Sequence, residues 1–225
     1  MIYITGDTHI PIDISKLNSK NFSKQKQLKK DDYLIICGDF GGVWDNGKEE
    51  LYWRKWLEQK SFTTLFVDGN HENFDLLEGF ETVDAFGSRV GRISDSIYHL
   101  KRGHIYTVDN KRIFTFGGAS SHDRGYRQEG ISWWRQEMPS LEEMQKGLSS
   151  LLECNNEVDL IITHSAPTSV QRKINPAFSS DALTDYLEEI KNTISFDSWY
   201  FGHYHTDTVV DGRFYCMYEK IKEYK

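Results

Sequence analysis

Ile2-Tyr3-Ile4-Thr5-Gly6-Asp7-Thr8-His9 opens the chain with a strand-length apolar run that stops at a glycine and gives way to an aspartate and a histidine. The same grammar returns four times. Tyr33-Leu34-Ile35-Ile36-Cys37 leads to Gly38-Asp39, and Thr64-Leu65-Phe66-Val67 leads to Gly69-Asn70-His71-Glu72. Leu160-Ile161-Ile162 leads to Thr163-His164, and Trp199-Tyr200-Phe201 to Gly202-His203-Tyr204-His205. These runs are rich in β-branched and aromatic residues and lack the alternation of a strand with one wet face. Continuous apolar runs suit strands covered on both sides, so the expected sheet is sandwiched between other layers.

Helical spacing fills the intervals. Leu141, Met144, Leu148, Leu151 and Leu152 form one stripe, and Ser140 with Glu143 three residues later is a capping box. Leu183, Tyr186, Leu187 and Ile190 form a second stripe behind an Asp181 cap, and residues 48–58 predict a third helix. The stretch 93–118 reads as shorter strands with turns at Arg102-Gly103 and Asp109-Asn110. The class is α/β.

The chain has 225 residues, a size for one domain over 1–225, and no repeat or Gly/Ser linker divides it. Apolar residues are 38% and aromatic residues 14% of the chain, which excludes disorder as a description of the whole. A net charge of -7 disfavours long nucleic acids, which select clustered positive charge. Lys20, Lys24, Lys26, Lys29 and Lys30 read as a solvated face. Cys37, Cys154 and Cys216 are far apart and odd in number, so they suit buried free thiols in a reducing compartment. No signal-peptide pattern or membrane-length apolar run occurs, and a cytoplasmic location without a membrane partner is expected.

Five of the eight histidines fall in the five turns, together with two aspartates and one asparagine. Turn chemistry would supply Asp, Asn and Gly but has no need of histidine. Open α/β sheets bind ligands beyond the carboxyl ends of their strands, so these turns can converge on one crevice. Residues two apart in extended chain point the same way, which lets Asp7 and His9, or His203 and His205, approach one centre. So many nitrogen and oxygen donors exceed the needs of one tetrahedral zinc. They suit two divalent ions of Mn, Fe, Co, Ni or Zn type, with manganese favoured.

The order and content of these turns resemble the calcineurin-like metallophosphoesterase superfamily, and the resemblance runs from Gly6 to His205. It implies two packed mixed β-sheets flanked by helices, an αββα sandwich. It also implies that Asp7, His9 and His205 hold one ion, that Asn70, His164 and His203 hold the other, and that Asp39 bridges them. His71 would be the catalytic proton donor, with a metal-bridging hydroxide attacking phosphorus in line. Two divalent ions less two carboxylates and one hydroxide leave about +1 at the site, an attractor for phosphate inside an acidic protein.

The sequence departs from the superfamily in places. Gly38-Asp39-Phe40-Gly41-Gly42-Val43 lacks the further Asp and Arg that the protein-phosphatase branch carries after its second motif, and Ile10 stands where many members have glycine. Asp45, Asp68 or Glu72 are the candidates to orient His71; otherwise Glu72 is read as a charge at the start of the next helix. The segment from Gly117 to Arg135 is expected to supply substrate contacts: His122, Arg124 or Arg127 on phosphate, and Trp133 or Trp134 stacked on a ring. No phosphate-binding loop, Rossmann fingerprint or serine-hydrolase elbow occurs. The reading is therefore a dinuclear-metal hydrolase of phosphate esters, with monoesters slightly ahead. The alternatives are a phosphodiesterase on nucleotides or short oligonucleotides, and an inactive binding scaffold on the same fold.

Overall fold

Each apolar run quoted above forms a strand whose two faces are both dry, because neighbouring residues enter different cores. Ile2 and Ile4 point between two sheets while Tyr3 points outward under helices. Leu160 and Ile162 likewise face the inter-sheet core, and Ile161 faces the opposite helical layer. This is why the runs lack polar alternation.

The computed structural model describes all 225 residues. The strands are β1 (Ile2–Thr5), β2 (Tyr33–Ile36), β3 (Thr63–Phe66), β4 (Thr82–Ala85), β5 (Ser88–Ser94), β6 (Ile97–Leu100) and β7 (His104–Val108). They continue as β8 (Lys111–Phe116), β9 (Leu160–Thr163), β10 (Ser198–Phe201), β11 (Thr208–Val210), β12 (Phe214–Cys216) and β13 (Lys222–Tyr224). The α-helices are α1 (Lys48–Glu58), α2 (Phe74–Glu78), α3 (Leu141–Glu153), α4 (Thr168–Ile174) and α5 (Ala182–Thr193). One sheet has the order β13-β1-β2-β3-β6-β5-β4 and the other β11-β12-β10-β9-β8-β7. Each is parallel in its middle and antiparallel toward its edges. Three apolar layers, one between the sheets and one outside each, make the expected αββα sandwich.

The predicted capping box forms at Ser140 with Glu143, and the predicted Asp181 cap forms as well, completed to a box by Thr184. The α3 stripe needs a correction. Leu151 is buried, and Met144 and Leu148 pack against the core, but Leu141 and Leu152 are exposed. At 3.6 residues per turn those two lie roughly 100° or more from the line through Gly147 and Leu151 that meets the sheet. Gly147 belongs there because a Cβ would strike the Tyr186 hydroxyl. The five lysines of 18–30 are all exposed, and the cysteines are all free. No helix is long and apolar enough to cross a membrane.

Behind the third turn, Asp68 is buried and accepts from Arg102 Nε at 2.9 Å and from His99 Nε2 at 3.1 Å. Burial opposes its charge, but Arg102 and His99 outweigh burial and hold its pKa well below the ordinary 3.8. A depressed carboxylate adds stability that is present above its unfolded pKa and is lost as pH falls below it. Arg102→Met is therefore expected to cost about 3–5 kcal/mol at neutral pH by stranding a buried charge. In thermal or urea unfolding the gap to wild type should narrow below about pH 4; a constant gap would contradict the charge account.

Candidate metal centre

The five turns converge at the carboxyl ends of β1, β2 and β3 from one sheet and β9 and β10 from the other. Donor atoms of Asp7, His9, Asp39 and His205 all lie within 4.8 Å of one another. Asp39 faces two ways: Oδ2 is 3.2 Å from His9 Nε2, while Oδ1 is 3.3 Å from His164 Nε2. Asn70 Oδ1 is 3.2 Å from the same His164 nitrogen, and the His203 ring stands 5.0 Å from the His164 ring. His205 Nε2 reaches Asp7 Oδ2 at 3.2 Å. All seven candidate ligands thus gather around Asp39 and Asp7 in two adjoining groups. The donors are imidazole nitrogens, carboxylates and one amide oxygen, a set that fits divalent transition ions.

The backbone reason differs from the one expected. Extended geometry does not bring the paired residues together, because His9, Asp39, His203 and His205 all have positive φ, from 33° to 67°. Four of the eleven non-glycine residues in this conformation are candidate ligands. Backbone strain concentrated on one constellation is the pattern of a functional site. The glycines beside these turns act mainly by absence of a side chain. A Cβ on Gly69 would strike the Asp39 carboxylate, one on Gly202 the Asp7 carboxylate, and one on Gly38 the His164 ring. Only Gly38 of these three has positive φ.

Supporting groups fix the donors. Asp13 Oδ2 lies 2.7 Å from His9 Nδ1, the Cys37 carbonyl 2.8 Å from His164 Nδ1, and Ser121 Oγ accepts from Asn70 Nδ2 at 3.1 Å. Such contacts leave His9 Nε2, His164 Nε2 and Asn70 Oδ1 free to ligate. Burial pushes the His203 pKa down to about 3, so its imidazole is neutral. Burial also opposes charge on His164, but Asp39 outweighs it and lifts the pKa to about 9, so an ion taken up at His164 Nε2 would displace a proton from it. Asp39 in turn is held well below the usual carboxylate range: burial resists this, and His164 and His9 prevail.

His71 donates its backbone N–H to Asp39 Oδ1 at 2.9 Å, and its Nε2 accepts from Arg127 Nη2 at 3.4 Å. None of the three carboxylates expected to orient it does so. Asp45 is exposed and accepts from the Gly47 N–H, and Asp68 is committed to Arg102. Glu72 is fully buried and accepts from the Phe40 N–H at 2.7 Å, bracing the turn after Asp39 instead of charging a helix start. Burial, with the Asp39 charge adding to it, raises the Glu72 pKa well above the ordinary value. Helix α2 is capped by Asn73.

Among the residues of 117–135, Arg127 reaches His71, and the His122 ring lies 6.3 Å from the His203 ring. Arg124 instead sits over Trp133, 5.3 Å from the ring centroid, and 3.8 Å from Glu137. Trp134 corrects the expectation for it: the ring is buried against Trp44, and its Nε1 donates to Asp75 at 2.8 Å. A ring so enclosed cannot stack on a substrate. A cavity of about 200 Å³ opens beside His203 and His205, walled by Ser120, Gln171, Phe178 and Asp181 among others. Sequence reading singled out none of the last three as site residues, because neither α4 nor the loop before α5 carries a ligand motif. Two larger hollows, of about 920 and 820 Å³, contain none of the metal donors.

A two-sheet sandwich with histidine and carboxylate turns gathered at its strand ends defines the metallophosphoesterase class. The chain belongs to the calcineurin-like phosphoesterase family, which it matches over residues 1–207. No curated protein matches it closely enough to add a named relative. The family binds divalent metal ions, and the cluster around Asp39 gives this chain a site for them.

Proposed function

We propose that this protein hydrolyses phosphate esters at a dinuclear centre, with monoesters preferred and manganese as the favoured ion. The observation that supports it best is the convergence of Asp7, His9, Asp39 and His205 donors within 4.8 Å, with the second oxygen of Asp39 turned toward the His164 nitrogen that Asn70 Oδ1 also meets. Asp7, His9 and His205 would hold one ion, Asn70, His164 and His203 the other, and Asp39 both. Divalent ions bound there supply Lewis-acid polarisation of a phosphoryl oxygen and acidify a water nucleophile. Oxygen donors alongside imidazoles suit manganese, iron or zinc, and the carboxylate and amide oxygens tilt the choice toward manganese.

The chain's own groups do the rest. Arg127 binds a non-bridging phosphoryl oxygen, taking the role of the arginine missing after Asp39. His71 delivers a proton to the leaving oxygen. Burial, and then the Arg127 guanidinium, hold the His71 pKa below its ordinary 6.5, although Asp39 pulls the other way. A phosphate dianion bound between His71 and Arg127 reverses that balance, because it engages the guanidinium and favours the imidazolium. The small polar cavity beside His203 accepts the esterifying group, with His122 at its mouth.

Steady-state rates on aryl phosphate monoesters and diesters with added Mn²⁺ test the proposal. Faster turnover of the monoester is expected; the reverse selects the diesterase, and inactivity on both contradicts hydrolysis. Arg127→Ala is expected to lower kcat/KM roughly 10–100-fold, the loss of one charge-assisted hydrogen bond of about 1.5–3 kcal/mol. An unchanged kcat/KM would remove Arg127 from the substrate site.

A further inference from the structure

The family match ends at residue 207, yet the chain after it returns to the metal centre. Strand β12 pairs in one sheet and β13 pairs with β1 in the other, so residues 217–221 cross between the sheets. Tyr218 lies on that crossing and touches the supports of all three candidate ligands of the first ion. Its ring stacks on the His205 ring at 4.8 Å and 14°. Its hydroxyl donates to Asp13 Oδ2 at 3.3 Å, the same oxygen that holds His9 Nδ1 at 2.7 Å. Its carbonyl accepts from Lys16 Nζ at 2.5 Å, and that buried ammonium also donates to the Asp7 carbonyl at 2.6 Å. Asp207 in turn accepts from the Tyr218 N–H at 3.0 Å, fixing the crossing in place.

These contacts divide unevenly between the two ions. Among the second-ion candidates, Asn70 is held by Ser121 and His164 by the Cys37 carbonyl. The His203 N–H donates to Asp7 at 3.1 Å. None of them touches Tyr218 or Asp13. We propose that Tyr218 and Asp13 are positioning residues that set the affinity of the first metal site alone, so that Tyr218, beyond the family match, acts with Asp13 within it to decide whether one ion or two is bound. The inference rests on the dinuclear reading above. Its physical basis is that a histidine ligates well only when its other nitrogen and its ring plane are fixed, and loss of such support costs about 10–100-fold in metal affinity.

The test is Mn²⁺ binding to the metal-stripped full chain, followed by calorimetry and by the electron paramagnetic resonance of the bound ions. Wild type should take up two ions and show exchange-coupled manganese. Asp13→Asn and Tyr218→Leu should weaken one ion about 10–100-fold, leave the other unchanged, and replace the coupled signal by that of an isolated ion. Tyr218→Phe keeps the stacked ring and the fold but removes the hydroxyl, so it should fall between wild type and Tyr218→Leu. The Tyr218→Phe effect should persist when Asn70→Ala has removed the second site and vanish when His9→Ala has removed the first. Should Tyr218→Leu fail to fold, Asp13→Asn and Tyr218→Phe decide the matter. If wild type binds two ions and these variants bind both equally tightly, or lose both in parallel, this inference is overturned while the dinuclear centre stands. A wild type that binds no ion overturns both.

Discussion

Asp39→Asn is expected to release metal from both halves of the site and to lower turnover by at least roughly 10³-fold. The two oxygens of Asp39 face the Nε2 atoms of candidate ligands from different groups, His9 on one side and His164 on the other. Asparagine keeps the shape but offers a neutral oxygen and an N–H₂ donor, so one half of the site meets a hydrogen where it met a lone pair. The loss is larger than for a single-ion ligand because the anion shared by both is gone. Several kcal/mol of metal-supplied charge stabilisation disappear with the ions, which sets the scale of the rate effect. The backbone should survive, since the Thr8 and His9 N–H groups bond to the Asp39 carbonyl, which the substitution leaves alone. Metal content and turnover measured on the same preparation check the prediction; unchanged values for both would remove Asp39 from the centre.

His71→Ala is expected to separate metal binding from chemistry. The His71 side chain stands beside the ligands, 5.6 Å from the His9 ring, and only its backbone N–H bonds to Asp39. Alanine preserves that N–H, so both ions should remain. Turnover should fall about 10²–10⁴-fold on alkyl esters, whose leaving oxygen needs a proton. The fall should be much smaller on activated aryl esters, whose leaving groups depart as anions. Equal losses for the two substrate types would count against a proton donor and favour a role in ground-state binding shared with Arg127.

What the sequence made legible was local or repeated. The five strands could be read because each is wet on neither face, and a run such as Leu34-Ile35-Ile36-Cys37 shows that burial directly. The helix caps could be read because their signals are local: Ser140 has Glu143 three residues on, and Asp181 stands directly before an apolar stripe. The candidate ligands could be read because histidine at the end of an apolar strand has no turn-forming reason to be there. What stayed hidden depends on side chains far apart in the chain. Asp68 finds Arg102, and Trp134 finds Asp75 and Trp44, only once the sheets are assembled. Tyr218 reaches Asp13 across most of the chain's length and carries no motif. The ligand geometry itself was misjudged, since periodicity predicts extended or helical backbone and cannot foresee positive φ at His9, His203 and His205.

The most direct test of the dinuclear centre is the number of Mn²⁺ ions bound per chain, measured by equilibrium dialysis against excess metal with elemental analysis of the protein. The arrangement of Asp7, His9 and His205 on one side of Asp39, and Asn70, His164 and His203 on the other, predicts two ions per wild-type chain. Asp39→Asn should hold neither under the same conditions. A wild-type chain that binds fewer than one ion when metal is in excess would contradict the account at its root.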